Sequence, residues 1–276
     1  MVMVSSCTPK IRVRRIQFCL DSGGSFLHAQ AMIEPINCAA VVPCFNEGSS
    51  IAPLVNAIRR HLPAVIVVDD GSTDETPAVA RTAGAEVVRH ERNLGKGAAL
   101  KTGLSLALKR GIEWVLTLDG DGQHAPDDLP AFVACAEETG ARLVVGNRMH
   151  NAEAIPWLRR RVNRWMSRKI SEGAGRHLPD TQCGFRLIHL ETWAGLPLKT
   201  EHFEVESEML FAFLSAGYRV EFVPVQVIGR SRNSHINPVA DTFRWLNWWQ
   251  KESPKLRRHE KREPAGVCSP AGLKKV

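Results

Sequence analysis

The chain has 276 residues, of which 44% are hydrophobic and 24% are charged, and this composition is ordinary for a soluble globular protein with a sizeable core. No apolar run approaches the roughly 18 residues that a membrane-spanning helix needs. The formal net charge of +7 and the pI near 9.2 favour an anionic partner, such as a nucleotide, a phospholipid surface or a nucleic acid.

The cysteine pattern indicates the redox environment. The seven cysteines are scattered and form no CxxC pair: Cys7, Cys19, Cys38, Cys44, Cys135, Cys183 and Cys268. An odd number without paired spacing argues against a disulfide framework or a zinc site. We therefore expect reduced thiols and a cytoplasmic protein, with a peripheral position at the cytoplasmic face of the membrane as a refinement.

The first 37 residues differ from the rest of the chain. They are basic and irregular, and they lack the uninterrupted apolar stretch of a secretory signal. We interpret residues 1–37 as a disordered N-terminal extension, with Met32 as a candidate natural start. A targeting tail is the alternative interpretation.

From Asn37 onwards, short β-rich runs alternate with amphipathic stretches. The predicted strands are 38–43, 64–69, 85–90, 114–119 and 142–147, and the predicted helices lie near 49–61, 74–83, 96–110 and 126–138. This alternation is typical of an α/β protein with a Rossmann-like, mostly parallel sheet that is flanked by helices. After Arg148 the pattern predicts helices near 156–172 and 204–216, followed by a strand near 218–228.

We expect residues 38–236 to form a single domain and residues 237–276 to form an amphipathic helix with a basic, flexible tail. On that helix Phe243, Leu246 and Trp249 share a face with Val239, and Trp245 and Trp248 flank it. Tryptophans followed by basic residues fit a helix that lies on an anionic membrane. Packing of the same helix onto the domain is an equally good interpretation.

Polar signatures follow four of the predicted strands. They are contained in the segments VVPCFNEGSSI, VVDDGSTDET, RNLGKGAALKTG and VLTLDGDGQH. In a doubly wound sheet these strand ends meet at one edge and form a crevice for a ligand. The turn around Gly95 has neither the G-x-G-x-x-G nor the G-x-x-x-x-G-K-[ST] spacing, so a P-loop is excluded and hydride transfer is disfavoured.

The segment Asp119-Gly120-Asp121 places two carboxylates at the tip of a buried strand. Like charges this close repel each other, so the arrangement suggests a bound cation. A polar turn is the alternative, because a single D-G-D occurs often in turns.

Together, five motifs are much more specific than any one of them. The motifs VVPCFNEGSSI, VVDDGSTDET, NLGKGAAL, LDGDGQH and DTQCGFR, in this order and at these spacings, resemble the family 2 glycosyltransferases. Within that family the chain is most similar to the dolichyl-phosphate mannose synthases and the bacterial polyprenyl-phosphate glycosyltransferases. The resemblance covers residues 38–236 and implies the GT-A fold, a nucleotide-sugar donor and inversion of the anomeric centre.

The resemblance also implies roles for the residues that match the family's motifs. The nucleotide-sugar site would be lined by Pro43, Phe45, Glu47, Asp70, Lys96, Asp119 and Gly120. Mg²⁺ or Mn²⁺ would be held against the diphosphate by Asp119, Asp121 and Gln123, which offer hard oxygen ligands. His124 is a softer ligand and is expected beside the metal site, outside the ligand set.

The expected catalytic residues are Asp121, Glu206 and Arg148, and one arginine among Arg159 to Arg161 would assist at the phosphates. Glu206 is the candidate base, with Glu208 and Asp180 as rivals. The alternative is a structural role, in which Glu206 and Glu208 lie at the start of a solvated helix and interact favourably with the helix dipole.

The expected partners are a GDP- or UDP-linked sugar, an acceptor and an anionic membrane surface, with no nucleic acid. Polyprenyl phosphate is the leading acceptor, and as an anion it needs no protein base. A glycan or glycolipid hydroxyl is the alternative acceptor and would need one. A non-catalytic nucleotide-sugar-binding module is the third hypothesis, against which the intact acidic pair argues.

Overall fold

The computed structural model describes residues 37–149, 155–228 and 238–260, and in the last helix it describes the side chains of residues 241–253. Residues 1–36, which include Met32, lie outside this range, as does the tail after residue 260. The expectations for those two segments therefore stay predictions.

Strands and helices alternate along the first part of the chain, as the sequence predicts. The strands are β1 (Cys38–Cys44), β2 (Val65–Asp69), β3 (Glu86–Arg89), β4 (Trp114–Thr117), β5 (Leu143–Asn147), β6 (Arg186–His189) and β7 (Val220–Pro224). The helices are α1 (Ile51–Arg59), α2 (Thr76–Thr82), α3 (Lys96–Lys109), α4 (Leu129–Thr139), α5 (Trp157–Ala174), α6 (Leu190–Ala194), α7 (Val205–Ser215) and α8 (Pro238–Glu260). A 3₁₀ turn at Pro126–Asp128 precedes α4.

The strands form one seven-stranded sheet in the order β3-β2-β1-β4-β6-β5-β7. β6 runs antiparallel to both of its neighbours, and the other pairs are parallel. The prediction of a mostly parallel sheet flanked by helices is therefore confirmed. The carboxyl ends of β1, β2, β4 and β5 point to the same edge, which is where such sheets place ligands.

The centre of the sheet is packed tightly against α3. Every residue of β1 and β2 is buried, as is usual for parallel strands that helices cover on both faces. A Cβ atom on Gly103 of α3 would lie 2.4 Å from Val41 Cγ1 of β1, so only glycine permits this close approach. The contact fixes α3 on the sheet and thereby places Lys96, its first residue, beside the ends of the strands.

The sequence patterns do not predict β6 or α6. β6 is short, and it begins with Arg186 and ends with His189, so it lacks the apolar alternation of a strand. Arg186 is nevertheless buried, because its guanidinium donates hydrogen bonds to the carbonyl oxygens of Cys183 at 2.7 Å, Glu206 at 2.6 Å and Thr181 at 3.0 Å. Burial of an arginine needs such partners, and no local pattern announces them.

Two predicted strands end two or more residues earlier in the structure than in the sequence analysis. β4 ends at Thr117, because the loop that follows leaves the sheet and crosses the end of β1. The last strand covers Val220–Pro224 instead of 218–228, because the N–H of Gln226 turns away to the Asp128 carboxylate, at 2.7 Å. The first change moves Asp119 from a strand into a loop.

α8 packs onto the domain through its tryptophans. Trp245 and Trp248 are only 2% and 7% exposed, and Trp245 Nε1 donates a hydrogen bond to Ser207 Oγ of α7 at 2.8 Å. The Trp165 ring of α5 lies 5.3 Å from the Trp245 ring, whereas Phe243 is 64% exposed. The structure thus agrees with the interpretation that this helix packs onto the domain. The alternative, that its tryptophans face lipid, is wrong for Trp245 and Trp248. In the part of the chain that the structure describes, no helix is both long and apolar enough to cross a bilayer.

The packing of α8 has a measurable consequence. We expect Trp245→Ala to lower the free energy of unfolding by about 3 kcal/mol or more, since it leaves a large cavity and removes the hydrogen bond to Ser207. Phe243→Ala on the same helix is the control and should change the free energy by less than about 0.5 kcal/mol. Urea unfolding followed by circular dichroism measures both, and equal effects would contradict the packing of α8.

Candidate active site

A cavity of about 670 Å³ lies at the sheet edge where the parallel strands end. It is large enough for a nucleotide-sized ligand. Every residue that the sequence analysis assigns to the site lines this cavity: Pro43, Phe45, Glu47, Asp70, Lys96, Asp119, Gly120, Asp121, Gln123, Arg148 and Glu206. Residues that are more than 150 positions apart in the chain are thus brought to one place.

The loop after β4 carries the two carboxylates and fits closely between its neighbours. A Cβ atom on Gly184 would lie 2.5 Å from Asp119 Oδ1, and one on Gly120 would lie 2.8 Å from the Cys44 Cβ atom. Ser50 Oγ donates a hydrogen bond to the Gly120 carbonyl oxygen at 2.8 Å. The two glycines therefore let the acidic loop lie against β1 and the segment before β6.

Lys96 joins two of the acidic side chains. Its Nζ atom lies 2.6 Å from Asp119 Oδ1 and 2.5 Å from Glu206 Oε1. Burial disfavours the charged amine, but the two carboxylates outweigh this effect and raise the pKa of Lys96. Burial likewise disfavours ionisation of Asp119, but Lys96 and His124 lower the pKa of Asp119 to about 2. Both groups are therefore charged at neutral pH.

Asp121 has a different environment from Asp119. Burial and the nearby charge of Asp119 raise the pKa of Asp121 to about 6, although the N–H of Gln123 donates to its Oδ1 at 3.1 Å. His124 is 2% exposed, and burial lowers its pKa to about 4, so its ring is neutral at pH 7. Its Nε2 lies 3.9 Å from Asp119 Oδ2, which places the ring beside the acidic loop.

Arg148 is held rigidly by Asp180. Its Nε and Nη2 atoms bind the two oxygens of Asp180 at 2.8 and 2.9 Å, and its backbone N–H binds Oδ2 at 3.1 Å. Burial opposes the charge of the guanidinium, but Asp180 raises the pKa of Arg148 well above its usual value. Asp180 is fully buried, so its structural effect is to orient Arg148 at the wall of the cavity.

The structure separates Glu206 from its two rivals for the role of base. Glu206 lines the cavity and is 5% exposed, and its backbone is fixed through its carbonyl bond to Arg186. The carboxylate of Glu208 points elsewhere and accepts the N–H groups of Lys199 at 2.9 Å and Thr200 at 2.8 Å. Asp180 is bound to Arg148, so of these three candidates for the base, all within the described residues, Glu206 alone lines the cavity.

Asp70 organises the turn before α3. Its carboxylate accepts the N–H groups of Leu94 at 2.9 Å and Gly95 at 2.8 Å, and it contacts His90 Nδ1 at 2.7 Å. A carboxylate has about four acceptor positions, so these bonds leave about one for a ligand. Gly95 has a φ of +100°, which glycine adopts readily, and this turn directs Lys96 into the site.

The sequence analysis missed the segment 201–203, which packs against the start of α3 and lines the cavity there. The N–H of Ala98 donates to the Glu201 carbonyl oxygen at 3.1 Å, and a Cβ atom on Gly97 would lie 2.6 Å from the Glu201 carbonyl carbon. This contact places His202 and Phe203 at the cavity, with the Phe203 ring 5.8 Å from Lys96 Nζ. The two segments are about a hundred residues apart, and no local signal links them.

The opposite wall of the cavity comes from α5 and α8 and mixes apolar with polar side chains. Of the three arginines that the sequence analysis offered there, Arg159 lines the cavity among the described residues, and Arg160 and Arg161 do not. Gln182, from the DTQCGFR motif, was not singled out and also lines it. The remaining lining residues of these two helices are Leu158, Val162, Asn163, Met166, Asp241, Thr242, Arg244 and Trp245.

The site lies at the carboxyl edge of a mostly parallel sheet, where α/β proteins of this class bind their ligands. Residues 39–192 match the sequence profile described as "Glycosyl transferase family 2". The match spans more than half of the chain, and the chain belongs to this family. It is a glycosyltransferase, and the resemblance drawn from the five motifs is confirmed.

Relatives and solved structures agree with this assignment. The dolichyl-phosphate hexose transferase of Haloferax volcanii is 31% identical over 210 residues, covering 73% of this chain and 87% of that protein. The UDP-N-acetylglucosamine–dolichyl-phosphate N-acetylglucosaminyltransferase of Methanococcus voltae is 28% identical over 211 residues, covering 68% and 84%.

A solved structure confirms the GT-A fold. Glucosyl-3-phosphoglycerate synthase from Mycobacterium tuberculosis, crystallised with Mn²⁺, UDP and phosphoglyceric acid, is similar with a TM-score of 0.61. It is 23% identical in sequence, and the likeness covers 83% of this chain and 80% of that one.

The buried ion pair of Arg148 and Asp180 should contribute strongly to stability. We expect Asp180→Ala to lower the free energy of unfolding by about 3 kcal/mol or more, because it leaves a buried guanidinium without its partner. Glu172→Gln, which breaks exposed pairs with Arg168 and Lys169, is the control and should leave the urea midpoint unchanged. An Asp180→Ala midpoint equal to that of the wild type would show that Arg148 does not depend on Asp180.

Proposed function

We propose that the protein is an inverting, metal-dependent glycosyltransferase that moves a sugar from a UDP- or GDP-linked donor to a polyprenyl phosphate. The observation that carries this proposal is the composition of the cavity, which has an acidic loop and two cations on one side and a wall of apolar and polar side chains, arginines among them, on the other. A charged donor and an amphiphilic acceptor can meet between these surfaces. The names of both relatives, which include dolichyl phosphate, support this acceptor class.

In this proposal the donor lies along the ends of β1, β2 and β4. Pro43, Phe45, Glu47 and Asp70 would bind the nucleoside, since they line the end of the cavity next to β1 and β2. Gly120 would allow the chain to pass close to the ligand. Arg148, which Asp180 holds in place, would donate to the phosphates.

Mg²⁺ or Mn²⁺ would be held by Asp119, Asp121 and Gln123. The donor set fits these ions, because the three side chains offer oxygen atoms and line one stretch of the cavity wall. In the described residues no group of three or more His, Cys, Asp or Glu side chains forms a metal-binding cluster. Oxygens of the diphosphate and water would therefore complete the coordination. When bound, the ion neutralises the charge that develops on the departing diphosphate.

The wall formed by α5 and α8 would receive the acceptor. Leu158, Val162 and Met166 offer apolar surface and Arg159 also lines this wall, which suits a hydrocarbon chain with an anionic head. Arg244 lines the same wall and is paired there with Asp241. A lipid phosphate is already ionised, so it can attack the anomeric carbon without a protein base. Under this proposal the carboxylate of Glu206 positions Lys96.

A hydroxyl acceptor is the second candidate function, and the position of Glu206 favours it. This carboxylate lines the cavity and could accept a proton from an alcohol. The two candidates make different demands on Glu206, because an alcohol needs a base and a phosphate does not. A nucleotide-sugar-binding module without activity would need neither an acceptor wall nor a metal.

Transfer of labelled sugar distinguishes these candidates. The protein is incubated with labelled UDP- and GDP-sugars, Mn²⁺ and either polyprenyl phosphate or the matching polyprenol. We expect label in the organic phase with polyprenyl phosphate and none with the polyprenol. Asp121→Asn should abolish this transfer, and Glu206→Gln should lower its rate by less than about tenfold. A decrease of about 10² to 10⁴ with Glu206→Gln would indicate the hydroxyl mechanism. Absence of transfer from every donor would contradict the proposed activity.

A membrane surface is the proposed location of the reaction, and the exposed side of α5 is suited to it. Trp157 is 64% exposed, Leu158 52% and Trp165 40%, and the arginines Arg161 and Arg164 are exposed on the same side of the helix. Aromatic and basic side chains together favour the interface of an anionic bilayer. Leu158 also lines the cavity, so this surface adjoins the proposed acceptor site.

Vesicle sedimentation tests this location. We expect the double variant Arg161→Gln/Arg164→Gln to bind anionic vesicles about thirtyfold more weakly, because each basic residue near such a surface contributes about 1 kcal/mol. Arg81→Gln/Lys109→Gln removes the same charge from exposed positions on α2 and α3 and should bind like the wild type. Equal losses in both variants would show that total charge matters and that the α5 surface does not.

A further inference from the structure

We propose that Lys96 is an internal counter-ion that keeps a divalent ion out of the acidic site until a nucleotide diphosphate arrives, and that it then binds the diphosphate. The proposal rests on the metal site in the proposed function and adds a control on the order of binding. Its basis is the position of the lysine ammonium between two carboxylates, one of which belongs to the proposed metal ligands.

The contacts of Lys96 place its charge in the middle of the acidic group. Its Nζ lies 2.6 Å from Asp119 Oδ1 and 2.5 Å from Glu206 Oε1, and the side chain is only 15% exposed. Ion pairs this close and this well shielded from water are strong. Asp119 is thus already neutralised by the chain itself.

Divalent ions would meet two obstacles in this arrangement. One oxygen of Asp119 is already in an ion pair with Lys96, and the ammonium repels any second cation nearby. Arg148 adds positive charge at the same wall, although Asp180 compensates it. Asp121 and Gln123 by themselves offer little for an ion that prefers several oxygen ligands. We therefore infer that Mn²⁺ binds poorly to the protein in the absence of nucleotide.

A nucleotide diphosphate removes both obstacles. Its oxygens bring negative charge that attracts Lys96 away from Asp119, and they also supply ligands for the metal. The side chain can make this move because lysine carries its charge on a flexible four-carbon stem. Glu206 and the Phe203 ring, whose centroid is 5.8 Å from Nζ, also lie near the ammonium. Metal and nucleotide should consequently bind together.

Mn²⁺ binding to the protein without donor sugar tests the proposal. Free Mn²⁺ is titrated by electron paramagnetic resonance against wild type, Lys96→Met and Lys109→Met, each alone and with UDP or GDP. For Lys96→Met without nucleotide we expect at least tenfold tighter Mn²⁺ binding than for the wild type, together with weaker nucleotide affinity. Lys109→Met, an exposed change at the other end of α3, should match the wild type.

The outcomes separate this proposal from the proposed function. If wild type with nucleotide binds Mn²⁺ but Lys96→Met alone binds it no better than wild type alone, the role of Lys96 is wrong and the metal site stands. If no variant binds Mn²⁺ even with UDP or GDP, both are wrong. Should Lys96→Met unfold, the wild type decides by itself, because equal Mn²⁺ affinity with and without nucleotide would overturn the proposal.

Discussion

The central constraint in this protein is electrostatic, since the carboxylates of Asp119 and Asp121 lie in a half-buried loop with only Gly120 between them. Like charges about 4 Å apart repel by about 4 kcal/mol at an effective dielectric constant of about 20, so such a loop needs positive charge nearby. The structure supplies part of it through Lys96, which neutralises Asp119. Burial and the charge of Asp119 raise the pKa of Asp121, and the charge of Lys96 offsets this only in part. The proposed divalent ion would complete the compensation where the chain leaves it incomplete.

The rest of the fold serves to hold these charges in position. Gly103 brings α3 onto β1 and so sets the place of Lys96, and Gly184 makes room for Asp119. The buried Arg186 ties the segment before β6 to the start of α7, where Glu206 lies. These contacts involve buried groups with little freedom. By contrast, the wall from α5 and α8 carries exposed aromatic and basic residues, which suits a surface that receives a lipid.

Much of this arrangement could be predicted from the sequence, because the relevant signals are local. Apolar runs that end in polar residues mark β1, β2, β4 and β5, and their parallel order places Asp70 and Asp119 at one edge. What sequence failed to predict depends on contacts between distant segments. Examples are β6, whose Arg186 is buried by carbonyl groups, and His202, which reaches the cavity through the contact of Glu201 with α3. The burial of Trp245 is a further example, since the helical spacing of apolar residues does not show whether that face packs against protein or lies on a membrane.

The direct test of the account is to locate the metal. Crystals grown with Mn²⁺ and UDP or GDP give an anomalous difference map in which manganese is identified by its own scattering. The account predicts a peak about 2 Å from carboxylate oxygens of Asp119 and Asp121 and from diphosphate oxygens, with Lys96 Nζ on the diphosphate. A nucleotide bound in the cavity with no manganese peak at the acidic loop would contradict it.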